Sequence, residues 1–297
     1  MNVLANKAAV VTGGGRGIGR GHCMQLIKNG ASVVVNDIDA EAAKTVADEI
    51  AELGGNAIIN TSNISTQQGA LEAIQLCEDC FGGIDIMVAN AGFARDKSFL
   101  KMTEEDFDAV MDVHVKGTFH CLQQAGIKMR DQGRGGSMIT TVSAGHFGNF
   151  GQTNYSAAKG AIASMTYTLA IELAKYGIRV NGISPLASTR LSDTYRGDDG
   201  KEVELPYFDP ELNGTFISFL CSEKGDYISG QIFGSGGERI TLLNQPKYGT
   251  TMFMPGGWTI ESMNKHFKDY LGSQLEPLGI FKTPYPFYDG IKPPSGK

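Results

Sequence analysis

The chain is short of everything that marks a metal site, a membrane span or a nucleic-acid surface. Its five histidines include no H-x-x-x-H pair, and no metal cluster is apparent. Lys and Arg number 26 against 32 Asp and Glu, a net charge of −6. There is no basic footprint for nucleic acid, so local groups must hold any anion. No apolar run approaches the roughly 20 residues that cross a bilayer. The N-terminus lacks a signal peptide's apolar core, and Ser295-Gly296-Lys297 is not a peroxisomal address. The five cysteines are scattered and odd in number, which suits a reducing compartment. Cys77 and Cys80 have the C-x-x-C form, but they lie in a helical pattern with no second pair nearby, so structural cysteines are the better reading. No repeat or low-complexity segment appears. The expectation is a soluble, cytoplasmic chain that binds neither nucleic acid nor membrane, with no metal.

What is present is an alternation of strand and helix patterns from Lys7 to about Phe233, as in a parallel sheet covered on both faces. Near its start, the apolar run Ala8-Ala9-Val10-Val11 precedes Thr12-Gly13-Gly14-Gly15-Arg16-Gly17-Ile18-Gly19, and a helical stretch follows from Arg20. Strand, glycine loop and helix form the context of a dinucleotide fingerprint. The glycines let backbone approach a pyrophosphate, and the helix N-terminus supplies N–H groups and a favourable dipole. A second strand, Ala31 to Val35, ends in Asn36-Asp37, about 20 residues on, where a ribose-binding acid belongs. A cap on the helix that begins near Ala40 is the other reading of Asp37, and the two roles are compatible.

Two further signals lie downstream. Asn90-Ala91-Gly92 follows the apolar strand Ile84–Ala89, at a carboxyl edge where ligands of parallel sheets bind. Tyr155 and Lys159 are four apart among small residues, which puts phenol and ammonium on one helix face. A phenol with a reference pKa of about 10 is a poor base at neutral pH, and a nearby cation favours the phenolate. By itself the pair fits a surface helix as well. Thr103-x-x-Asp106 reads as a capping box opening a long helix that carries His114.

Taken together, Thr-Gly-x-x-x-Gly-x-Gly, Asn-Ala-Gly, a serine ending the fifth strand and Tyr-x-x-x-Lys resemble the short-chain dehydrogenase/reductase family, over roughly residues 5 to 240. The glycine spacing is that of the simple branch. Val113-His114-Val115-Lys116-Gly117, the segments around Asn90 and Asn149, and Pro185-Leu186-Ala187-Ser188-Thr189-Arg190-Leu191 are similar to one subgroup. It contains the (3R)-hydroxyacyl-CoA dehydrogenase part of peroxisomal multifunctional enzyme type 2 and bacterial relatives, some acting on steroids.

The resemblance implies an α/β Rossmann-type fold, a doubly wound parallel sheet in three layers, over residues 1–240. It implies NAD as cofactor, held by Gly13, Gly15, Arg16, Gly17, Ile18, Gly19, Asp37, Asn63, Ile64, Asn90, Ala91, Gly92, Tyr155, Lys159, Pro185, Ala187 and Thr189. Asn63-Ile64, at the end of the third strand, takes the adenine-contacting position. Asp37 would favour NAD over NADP, with Arg16 as counter-evidence. Lys159 would hold the nicotinamide ribose and lower the Tyr155 pKa, Tyr155 would exchange the alcohol proton, and Ser143 would orient the substrate oxygen. His114 stands where the family has an Asn of a proton relay, so it is either a variant relay or a structural imidazole. Ser143 lies twelve before Tyr155 where the family has thirteen, with Val142 at the family count. Counting from the strand keeps Ser143 and puts a one-residue deletion in 144–148. Relatives are commonly homotetramers or homodimers built on the helices carrying His114 and Tyr155.

The polar stretch Asp193–Pro206 suits a substrate lid or a plain solvated loop. Residues 241–297 form a C-terminal extension with one amphipathic helix (Ile260, Met263, Phe267, Tyr270, Leu271) and a proline- and aromatic-rich end, expected to dock on the domain or on a neighbouring subunit. Three functions fit. They are a dehydrogenase for a 3-hydroxyacyl-CoA-like alcohol, a dehydrogenase for a steroid or other bulky ring alcohol, and a non-catalytic dinucleotide-binding regulatory subunit.

Overall fold

The computed structural model describes residues 2–188 and 207–280. Among them, eight strands form one sheet in the order β3-β2-β1-β4-β5-β6-β7-β8. These are β1 (Ala8–Thr12), β2 (Ser32–Asn36), β3 (Ala57–Asn60), β4 (Ile86–Ala89), β5 (Gly136–Thr141), β6 (Ile178–Pro185), β7 (Ile232–Gly236) and β8 (Arg239–Leu243). Pairing is parallel from β3 through β7. Only β8, paired with β7 through Ile232↔Leu243, is antiparallel.

The strands read as continuous apolar runs because both faces are covered. Side chains alternate across the sheet. Ala9, Val11, Val33, Val35, Ile86 and Val88 enter the core beneath α1 (Gly17–Lys28), α2 (Ala40–Glu52) and α7 (Pro210–Cys221). Ala8, Val10, Val34, Met87 and Met138 enter the core beneath α3 (Gln67–Phe81), α5 (Gly117–Gln132) and α6 (Thr153–Leu173). The expected doubly wound, three-layer architecture is what forms.

The chain order reverses between β1 and β4. The crevice at their carboxyl ends is where open α/β sheets bind ligands, and the glycine loop and Asn90-Ala91-Gly92 both emerge there.

The last parallel strand is Ile232–Gly236, so the alternation runs past Phe233. Two details differ from the sequence expectations. The antiparallel β8, which the sequence pattern does not announce, runs across residue 240 to Leu243, so the sheet continues past the expected boundary. In the extension, α8 (Ile260–His266) is capped at Thr259 by a capping box, yet Ile260 is 79% exposed, Tyr270 57% and Leu278 95%. These apolar residues are not covered by this chain's described residues. The stretch Asp193–Pro206, with Thr189 and the aromatics from Phe281 onward, lies outside the described residues.

Candidate active site

The glycine loop turns from β1 into α1 against the β4 end. Gly13 has φ +61°, and a Cβ on Gly19 would overlap the Gly13 carbonyl oxygen, so the turn closes only on glycine at 19. Thr12 fastens this loop to the next. Its Oγ1 accepts the N–H groups of Asn90 at 3.0 Å and Ala91 at 3.1 Å. The Asn90 side chain returns to the Thr12 carbonyl at 3.0 Å and the Gly13 carbonyl at 3.3 Å. Thr12 is missing from the cofactor residues that the sequence suggests. Its signal there is its place at the head of the glycine motif, with a hydroxyl able to accept two N–H groups.

Asp37 lies beside the same loop. Its carboxylate accepts the Gly15 N–H and the Asp39 N–H, each at 3.0 Å. The helix-cap alternative falls to Asp39, which accepts from Ala42 N–H at the start of α2. Arg16 forms an ion pair with Asp39 at 2.5 Å, so its charge is already matched. Asn63 is not at a strand end, because β3 stops at Asn60. Asn63 sits in the following turn, where its Oδ1 accepts from Ser65 N–H, and Ile64 beside it is buried. Beyond the paired Asn36 and Asn60 the turn is held by side chains: the Asn36 amide donates to Asn60 Oδ1 at 2.6 Å and to the Ser62 carbonyl at 3.0 Å.

The catalytic candidates converge from three elements. Tyr155 and Lys159 share the inner face of α6, with the ammonium 5.5 Å from the phenol ring centroid. Lys159 is buried and donates to the Thr141 carbonyl at the end of β5, 2.6 Å away. Thr141, whose carbonyl takes this bond, carries no sequence signal beyond its place at a strand end. Asn154, fully buried, pins the start of α6. Its side chain donates to the carbonyls of Arg95 and Asp106 and accepts the Tyr155 N–H. In the sequence it is overshadowed by its neighbour Tyr155.

Ser143 follows the end of β5. Val142 still pairs with Ile183 and buries its side chain with Ile162, Ala163 and Ile232. Strand alternation therefore turns Ser143 to the opposite side. There it meets the Tyr155 phenol and accepts the Gly145 N–H at 3.1 Å. Val142, at the family count, faces the core and could not reach substrate.

His114 lies in one π turn (Asp112–Lys116) joining α4 (Glu104–Met111) to α5. The expected capping box at Thr103 and Asp106 opens α4. The wider turn presents the imidazole to the main chain of Phe93, where Nε2 lies 3.0 Å from the amide nitrogen and 2.7 Å from the carbonyl oxygen. The imidazole ring stands edge-on to Tyr155, centroids 5.3 Å apart, and its buried Nδ1 has no partner. A Cβ on Gly92 would overlap the imidazole ring, so the glycine of Asn-Ala-Gly makes room for it.

A family model for short chain dehydrogenases matches residues 7–197. The chain belongs to the short-chain dehydrogenase family. It is an oxidoreductase acting on CH–OH groups, which sets aside the non-catalytic alternative. It is 39% identical over 254 residues to a short-chain type dehydrogenase/reductase of Mycobacterium tuberculosis, covering 82% of this chain and 87% of that protein. Peroxisomal multifunctional enzyme type 2 of Drosophila melanogaster is 37% identical over 235 residues, 75% of this chain but only 38% of that enzyme. Hydroxyacyl-CoA dehydrogenase ChsB1 of M. tuberculosis is 33% identical over 287 residues, 91% of this chain and 90% of that enzyme. A short chain dehydrogenase from Mycobacterium avium superposes with a TM-score of 0.83 at 34% identity, covering 93% of this chain and 98% of its own. The expected family and its hydroxyacyl-CoA dehydrogenase relatives are thus found.

The family's nicotinamide dinucleotide fits the residues present. Glycine backbone lines the loop, the Asp37 carboxylate stands at the end of β2, and Lys159 has one protein acceptor for three N–H donors among the described residues. The electrostatics differ from expectation in one respect. The expected drop of the Tyr155 phenol does not occur in the chain alone. Desolvation pushes it above its ordinary value, and the hydrogen bond to Ser143 only partly offsets this. Burial also lowers the Lys159 ammonium to about 7, so near neutral pH it is no longer a full cation. His114 is held neutral, down to about 3, by burial and then by Lys159.

Cavities of about 380 Å³ against Leu212, Phe216 and Ile240 and of about 230 Å³ against Tyr167 and Ser229 lie away from this crevice. Among the described residues no group of acidic, histidine or cysteine side chains could hold a metal. No described helix is long and apolar enough to cross a membrane.

Proposed function

We propose that the protein oxidises and reduces a 3-hydroxyacyl-CoA-like secondary alcohol with NAD. The observation that carries the reaction is the convergence of Ser143, Tyr155 and Lys159 at the carboxyl edge of the sheet, beside the switch point between β1 and β4. When bound, the nicotinamide dinucleotide supplies the hydride acceptor or donor. Ser143 Oγ donates to the substrate oxygen and fixes its distance from Tyr155. Tyr155 takes the alcohol proton during oxidation and returns it during reduction. Lys159, anchored on Thr141, has two N–H groups left for the ribose diol, and those acceptors favour its charged form. A charged Lys159 then draws the phenol down toward the working range.

His114 carries the relay in this account. With its Nε2–H donated to the Phe93 carbonyl at 2.7 Å, the neutral imidazole keeps its buried, unpartnered Nδ1 as a proton acceptor for water. Cofactor choice rests on Asp37. A carboxylate at the end of β2 accepts ribose hydroxyls and repels a 2′-phosphate, and Arg16 is engaged by Asp39. Asn63, Ile64, Asn90, Ala91, Pro185 and Ala187 complete the cofactor contacts in this reading, with Thr189 beyond the described residues.

The acyl thioester is favoured by the full-length similarity to a hydroxyacyl-CoA dehydrogenase. An apolar rim on the two segments joined by the Lys97–Gly151 hydrogen bond supports it, since Phe99 is 71% exposed, Leu100 94% and Phe150 81%. The same rim suits a ring alcohol. Purified protein with NAD or NADP, offered 3-hydroxyacyl-CoA and steroid alcohols while the absorbance of reduced cofactor is followed, separates these outcomes. Turnover with NAD and the acyl thioester is expected. Turnover confined to steroid alcohols, or a higher kcat/KM with NADP, overturns the respective assignment.

A homo-oligomer is part of this reading. Ala157 and Ser164 face outward on α6 with Gly160 and Ala161 between them, a surface small enough for helices to approach closely. The exposed apolar residues of the extension add a second surface to cover. A monomer by light scattering at micromolar concentration would contradict it.

A further inference from the structure

The C-terminal extension returns to the catalytic serine through three consecutive hydrogen bonds. The Ile280 N–H donates to the Gly148 carbonyl at 3.0 Å, and the Gly148 N–H donates to the Gly145 carbonyl at 3.1 Å. The Gly145 N–H in turn donates to Ser143 Oγ at 3.1 Å. Gly145 also lies on the Tyr155 ring, where a Cβ would stand 3.3 Å from the aromatic edge. Gly279 packs beside Gly148, its Cα 3.7 Å from where a Cβ on Gly148 would be.

The loop from Ser143 to Gln152 has two halves with different anchors. The second half is fixed to the rim, by the Lys97 N–H on the Gly151 carbonyl at 2.8 Å and by the Gln152 side chain on Asp96 at 2.9 Å. The first half, Ala144–Gly148, is one short 3₁₀ turn that leaves through Gly148 at φ +105°, a conformation open to glycine. Among the described residues, the Ile280–Gly148 bond is the backbone hydrogen bond joining that half to a distant part of the chain.

We propose that Gly279-Ile280 is a strap that positions Ser143. It selects one conformation of the 144–148 turn and so aims Ser143 Oγ, whose committed N–H partner Gly145 belongs to that turn. The strap rests on the orienting role given to Ser143 above. It assigns the extension a part in turnover, although the extension lies over a hundred residues from the serine in sequence. Ile280 touches no reacting atom in this scheme and is a positioning residue.

Two variants test it. Ile280→Pro removes the N–H and keeps the chain, and a chain ending at Leu278 removes the strap. Amide hydrogen exchange over residues 143–152 is read without substrate, so it tests the strap even where the substrate assignment is wrong. Both variants should exchange at Gly145–Asn149 about tenfold faster or more, with the β1–β4 loops unchanged. With any alcohol that the wild type turns over, kcat should fall by roughly 5- to 30-fold at unchanged NADH affinity. In a Ser143→Ala background, Ile280→Pro should cost nothing further. Unchanged exchange in both variants, or an equal fall in kcat with and without Ser143, would overturn the strap.

Discussion

The two sides of the crevice are held in different ways. On the nucleotide side, the loops after β1 and β4 are tied to each other within a few residues. Thr12 accepts two N–H groups, Asn90 donates to two carbonyls, and Asp37 accepts the Gly15 N–H. On the substrate side, Ser143 and its turn are tied to residue 280, and the rim exposes Phe99, Leu100 and Phe150. The first side is built from local contacts around the sheet reversal. The second takes a contact from residue 280 and leaves apolar side chains exposed. Recognition of a common cofactor tolerates a preformed cradle, whereas a substrate mouth is where relatives of one fold diverge.

The largest effect that would sharpen this contrast is at the phenol. Tyr155→Phe keeps the ring and removes the hydroxyl, so turnover should fall by roughly 10²–10⁴-fold while NADH affinity, read by fluorescence titration, stays near the wild-type value. A comparable loss of NADH affinity would place the tyrosine on the nucleotide side instead.

Lys159 joins the two sides and should show a conflict between activity and stability. Its ammonium is lowered by burial to about 7, far under the free lysine value. Between pH about 7 and 10 the folded state therefore binds fewer protons than the unfolded chain, so this group's contribution to stability rises with pH across that window. It is least favourable below pH 7, where folding must bury a charge. Lys159→Met should abolish turnover and weaken NADH binding, yet raise stability below pH 7 by about 1–4 kcal/mol. The gain should vanish above about pH 10. Thermal melts of the cofactor-free protein across pH 6–10 measure this, and a gain independent of pH would contradict it.

The preference for NAD should respond more modestly. Asp37→Ala should narrow the ratio of kcat/KM for NAD over NADP by roughly tenfold, the worth of about one charged hydrogen bond. An unchanged ratio would remove Asp37 from cofactor selection. The smallest effect is a coupling. Gly92→Ala forces a methyl against His114 and should cost about 1–3 kcal/mol of stability. That cost should shrink in a His114→Ala background, in denaturant titrations of the four proteins. Additive costs would show that the ring does not set the glycine requirement.

Most of the fold and the core of the site are legible in the sequence because their signals are local. The strands of a two-sided sheet are apolar runs, the glycine loop is constrained by its own turn, and a spacing of four on one helix fixes Tyr155 against Lys159. Counting from β5 rather than back from Tyr155 places Ser143, since strand alternation is rigid and the intervening turn is free to lose a residue. What escapes is set by long-range contacts. Thr141 and Asn154 matter through a partner elsewhere in the chain, to which their own neighbourhoods give no clue. The antiparallel β8 follows β7 by two residues and carries no alternation strong enough to read. The expected lowering of the phenol is missing from the chain alone for a related reason. Spacing gives the distance between two groups, while their desolvation depends on everything packed around them.

The most direct test of the central claim is NAD reduction by a (3R)-hydroxyacyl-CoA, followed by absorbance with the wild type, Tyr155→Phe and Ser143→Ala. The account predicts turnover by the wild type, collapse in Tyr155→Phe, and a loss of roughly 5- to 150-fold in kcat/KM for Ser143→Ala, equivalent to about 1–3 kcal/mol. Wild-type turnover of that substrate in Tyr155→Phe, or undiminished kcat/KM in Ser143→Ala, would contradict it.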